Sequence, residues 1–113
     1  MTNFLQAMFT GYTEEEIAAQ TEELRERSAA VKANGWGSET HSWRRGEIVA
    51  VALVLGDDAA IARQGQTTEE AVSQMAHLLY GGVGGHADEA TGFTRTRGYF
   101  AGVAQQLAPQ AEN

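Results

Sequence analysis

The nine residues Glu47–Leu55, EIVAVALVL, decide the fold class, because their composition suits two different structures. Ile48, Val49, Val51 and Val54 favour a buried strand on intrinsic preference. A strand, however, must give its backbone N–H and C=O groups to a neighbour, and the chain offers no second strand-like run to receive them. A helix satisfies those groups internally. An apolar helix without a polar face belongs at the centre of a bundle, covered on several sides. The expected fold is therefore all-α, a single-domain bundle of about four to five helices. Its central apolar helix is placed near 39–55, from Ser38 after the Gly35-Trp36-Gly37 loop, and a short N-terminal helix precedes the first long one.

Upstream, Thr13 and Glu16 have the spacing of a capping box, with Tyr12 and Ile17 at the positions of a hydrophobic staple. Ile17, Leu24 and Val31 recur at seven residues, with Thr21 and Ser28 between them. This is one narrow stripe on a helix from about 13 to 34 that Asn34-Gly35 ends as a left-handed cap. Glu14–Glu16 lie at the positive end of its dipole and Lys32 near the negative end. Before it, Phe4, Leu5, Met8, Phe9 and Tyr12 make a broad aromatic face on a short helix over 1–11, stopped by Gly11.

Downstream, Asp57 or Asp58 caps a short helix through Ile61 that ends near Gly65. Thr67 and Glu70 form a second capping box, opening a helix that carries Ala71, Val72, Met75, Ala76, Leu78 and Leu79. That helix is expected to stop at Gly81-Gly82, leaving Gly81–Gly85 as a flexible or tightly bent loop that serves as a hinge or a close helix contact. A last helix is expected from Asp88, with Phe93, Phe100, Val103 and Leu107 inward and Pro109 just past its end. Gly98 and Gly102 would let a neighbour approach it closely, and residues 110–113 would be a mobile tail.

Composition narrows the functions. With 113 residues, one domain is the natural count, and no cysteine means no disulfide, thiolate metal site or cysteine nucleophile. The net charge of −7 argues against direct nucleic-acid or anionic-membrane binding over the whole surface. The longest apolar run, Ile48–Leu55, is far short of the about 20 residues a spanning helix needs, and residues 1–12 lack the basic start of a secretory signal. Seven arginines to one lysine and 19 alanines suggest a GC-rich bacterial or phage origin. Together these place the protein in the cytoplasm or within a phage particle.

No chemical constellation outweighs its ordinary structural explanation. His86 with Asp88 and Glu89 offers metal-ligand types, but helix capping explains the two acids equally well, so no metal is assigned. His41 and His77 fit ordinary boundary positions, and Ser73 with His77 at i,i+4 lacks an orienting acid. Gly81–Gly85 lacks the Lys-Ser/Thr ending of a phosphate loop and follows no strand. The acidic doublets are mostly where helix starts want charge, and they are shared evenly, −3 over 1–56 and −4 over 57–113. No catalytic residue and no cofactor are assigned.

The expected function is a non-enzymatic interaction or assembly protein that binds another protein or itself, as a homo-oligomer or assembly subunit. Partner-binding residues are expected at Phe4, Leu5, Met8, Phe9 and Tyr12, with Trp36, Trp43, Arg44 and Arg45 as a second cluster of hot-spot residue types. Two alternatives stand beside it: an acidic effector that occupies a nucleic-acid-binding protein by charge mimicry, and a metal-binding module around the histidines.

Overall fold

Helix α1, Glu14–Asn34, starts where the Thr13 hydroxyl accepts the Glu16 N–H at 3.1 Å and the Glu16 carboxylate accepts the Thr13 N–H at 2.8 Å. Two orphan donors are thereby satisfied, as the Thr13/Glu16 spacing predicts. It ends at Gly35, whose N–H still donates to the Val31 carbonyl at 2.7 Å and whose φ of 78° and ψ of −179° turn the chain out of the helix, extended rather than in the expected left-handed cap. Leu24, Ser28 and Val31 are buried and Ile17 and Thr21 half-buried, so the seven-residue stripe is the face turned inward. The structure is a computed structural model that describes residues 11–37 and 42–111, the side chains of 108–111 excepted. The expected N-terminal helix, with Phe4, Leu5, Met8 and Phe9, lies outside the described residues, as does His41.

Helix α2, Arg45–Leu55, resolves the strand-or-helix question in favour of the helix. No strand occurs among the described residues. It starts later than the expected 39, because Arg44 is extended (φ −73°, ψ 156°) and the Glu47 carboxylate accepts the Arg44 N–H at 2.8 Å, fixing the first turn there. Val49, Val51, Ala52 and Val54 are buried, and α2 touches α1 and each of the three helices that follow it. Its central position follows from having no polar face to give to water.

Helix α3, Asp58–Arg63, is capped by Asp57, whose carboxylate accepts the Ala60 N–H at 3.0 Å. Helix α4, Thr68–Glu89, opens on the second capping box, Thr67 with Glu70. Its end corrects the expected stop at Gly81-Gly82. The helical ladder resumes after one break, at Gly81, which has φ 79° and ψ −179°. That combination is open essentially only to glycine. The bend is sharp, because a Cβ on Gly85 would lie 2.9 Å from the Cα of His77. One on Gly84 would lie 2.8 Å from the Cβ of Tyr80. The glycine run is thus a bent helix pressed against its own preceding turns: the expected loop is absent, and the close helix contact is present.

Helix α5, Thr94–Ala111, starts six residues later than expected. Asp88 belongs to the end of α4, and residues 90–93 turn the chain. Phe93 closes that turn with φ 63°, an uncommon value for a bulky residue. Burying its ring against Val72 and Ala76 offsets the strain. The helix runs through Pro109 to Ala111, so residues 110 and 111 are helical where a tail was expected. Open space surrounds Gly98 and Gly102, and the close helix contacts are those of Gly84 and Gly85 instead.

Candidate partner groove

Where α1, α2, α4 and α5 meet, they leave a groove of about 330 Å³. Leu24 from α1, Ala50 from α2, Met75 and Leu79 from α4 and Phe100 from α5 form its apolar floor. Leu78 stands at its edge, 49% exposed. Arg27, Arg44 and Glu47 form one polar rim, and Tyr12 lines the groove from the segment that leads into α1.

Each wall is held by a specific contact. The Gly81 break frees the Leu79 carbonyl from its usual helical donor, and the Tyr12 N–H takes it at 3.1 Å. Gly11 (φ 77°) lies so close that a Cβ there would sit 2.4 Å from the same oxygen. The chain is therefore pinned to the bend of α4 just before it enters α1. On the other wall, the Thr21 hydroxyl donates to the Ile17 carbonyl at 2.6 Å. Its single proton is committed, so Tyr99 donates to it, at 2.7 Å, and ties α5 to α1. Burial, and then the charge of Glu16, push the Tyr12 phenol above its ordinary range, so it stays a neutral donor.

The rim charges are unequal. Arg27 pairs with Glu47 at 3.2 Å and Glu23 at 3.7 Å, and its guanidinium lies 5.7 Å from the centre of the Trp43 ring. Glu47 is further engaged by the Arg44 N–H. The Arg44 guanidinium has no ion-pair partner among the described residues.

Of the residues expected to bind a partner, Tyr12 and Arg44 line this groove. Trp43 stands beside it, packed on the core and against Arg27. Trp36 lies apart, half-buried, its indole N–H donating to the Asp57 carboxylate at 2.9 Å. Arg45 also lies apart, with its guanidinium beside Gly65. The groove floor went unread in the sequence, because Leu24, Met75, Leu79 and Phe100 look like ordinary core positions. They are in fact buried, and only the long-range meeting of four helices sets them side by side beneath one groove.

The histidines do not converge. His77 donates through Nδ1 to the backbone carbonyl of Ser73 at 2.9 Å, so that pair leaves the serine hydroxyl out. His86 is 86% exposed in its side chain and 3.9 Å from Glu89. No three metal-ligating side chains cluster among the described residues. Several acids of the doublets act as helix starts: Glu16, Asp57 and Glu70 each hold an N-terminal turn. No described helix is long and apolar enough to cross a membrane. Protein-family models, curated proteins and solved structures return no match to this chain.

Proposed function

We propose that the protein is a small helical interaction or assembly module that holds an amphipathic helix of another protein, or of a second copy, in the α1/α2/α4/α5 groove. The observation that carries this reading is the groove's build: an apolar floor of Leu24, Met75, Leu79 and Phe100 bordered by Arg27, Arg44 and Glu47, with the half-exposed Leu78 beside it. Helix-in-groove recognition needs such a floor to take the i, i+3, i+4, i+7 side chains, and a polar border to fix the helix's direction. Leu78, half-exposed at the edge, is apolar surface that a docked helix would cover.

A photo-crosslinking side chain at Leu78, compared with one at the exposed Ala62 of α3, tests the reading in the native host. The Leu78 probe is expected to trap a defined protein or a second copy, and the Ala62 probe to trap neither. Light scattering across a concentration series then separates the two partners. Equal crosslinking at both positions, with a monomer mass throughout, overturns the proposal.

A further inference from the structure

We infer that the helix this groove accepts carries a carboxylate on the flank that meets Arg44, and that Arg44 selects it. This rests on the groove being a docking site and adds the chemistry of what docks. Arg27 is already neutralised by Glu47 and Glu23 and stacked near Trp43. Glu47 is spent on Arg27 and on the Arg44 backbone. Among the described residues that line the groove, Arg44 is the charge left over, at the edge of an apolar floor, in a chain of net charge −7.

A helix laid over that edge removes water from the Arg44 guanidinium. A desolvated cation without an acceptor is costly, and one facing a lysine more so. A glutamate or aspartate at that place supplies the acceptor, in a geometry the guanidinium fork can bind with two hydrogen bonds. The overall negative charge does not cancel this preference. Exposed charges beyond about 8–10 Å are screened at physiological salt, while the rim charge acts at contact. Arg45 supplies the comparison, because it carries the same charge one residue along but has its guanidinium beside Gly65, outside the groove lining.

The test uses the full chain and a pool of helical peptides with leucine at i, i+3, i+4 and i+7. All other positions vary among Glu, Lys and Gln, and the retained peptides are sequenced and re-measured singly by fluorescence anisotropy. Glu is expected to be enriched at one flank, and a Glu-to-Lys exchange there to weaken binding about tenfold. Raising the salt concentration is expected to shrink that ratio. Arg44→Glu is expected to reverse the preference and Arg45→Glu to leave it intact, with both variants keeping the helical circular dichroism of the parent. Peptides retained without flank preference, or a preference that moves equally with Arg45→Glu, overturn the selection by Arg44 and leave the groove reading standing. No peptide retained by any of the three proteins overturns both.

Discussion

The Asp88 carboxylate caps the helix that follows it from eight residues away: one oxygen accepts both the backbone N–H (3.0 Å) and the hydroxyl of Thr96. Its other oxygen accepts the Arg95 N–H at 2.9 Å. The side chain belongs to the end of α4, yet it does at α5 what an N-cap residue does from next door. Both Asp88 and Thr96 are buried, so their donors and acceptors have no water to fall back on. Asp88→Ala is therefore expected to cost roughly 2–4 kcal/mol, the loss of a cap plus stranded buried donors. Urea denaturation followed by circular dichroism measures it, and a loss below that of an exposed surface substitution would contradict the capping role.

The same carboxylate gives the protein an acid-sensitive limb. Burial pushes the Asp88 carboxyl upward, but the Thr96 hydroxyl and the N–H groups of Arg95 and Thr96 more than offset this, so it sits below the ordinary aspartate range. The Trp36 indole N–H, and then the Ala60 N–H, hold Asp57 low as well. A group whose folded pKa is depressed contributes stability above its unfolded value and loses it as pH falls through the folded one. Stability is expected to hold near pH 5 and to fall below about pH 4. Asp88→Ala and Trp36→Phe are each expected to flatten that fall, as read from denaturation midpoints at several pH values. An unchanged slope in both variants would show that neither carboxylate is responsible.

The bend in α4 sets the sign of a glycine substitution. In a straight helix, Gly→Ala gains about 1 kcal/mol. Gly81, at φ 79° and ψ −179°, occupies backbone space closed to alanine, so Gly81→Ala is expected to lose roughly 1–3 kcal/mol. Gly85→Ala is expected to lose a similar amount, about 1–3 kcal/mol, by pushing its turn off His77. Gly98→Ala, on the exposed side of α5 with open space around it, is expected to gain about 0.5–1 kcal/mol. Thermal denaturation of the three variants orders them, and a stabilised Gly81→Ala would mean that α4 runs straight.

What the sequence made legible, and what it hid, follows the range of the interactions. The Thr13/Glu16 and Thr67/Glu70 boxes and the Leu24–Ser28–Val31 stripe are local, three or four residues apart, and they stand in the structure as read. The helical state of Ile48–Leu55 required one global consideration, the lack of a strand to pair with, and that was enough. The sequence marks Asp88 as a helix-start residue, right in kind but not in position, because its cap spans a turn held by the positive φ of Phe93. Gly98 and Gly102 show the converse error: small residues at helical spacing permit a close approach, and only the packing decides whether one occurs. The groove lay furthest from reach, since its floor, rim and edge come from four helices and the Gly11–Tyr12 segment.

Ser28 offers a gain in stability from the stripe itself. It is fully buried on α1, and its hydroxyl oxygen has no hydrogen-bond partner among the described residues. An unsatisfied buried hydroxyl forgoes the hydrogen bonds it had with water in the unfolded chain, at a cost of about 1–3 kcal/mol. Alanine removes that cost and is the better helix former, while the lost oxygen leaves only a small void. Ser28→Ala is expected to raise stability by about 1 kcal/mol. Ser28→Val, which adds volume at a site with no exposed surface, is expected to lower it by roughly 1–3 kcal/mol. Denaturation midpoints of the two variants measure both. If Ser28→Ala instead destabilises the protein, the hydroxyl has a bonded partner in solution, such as a trapped water, and the stripe is polar by design at that point.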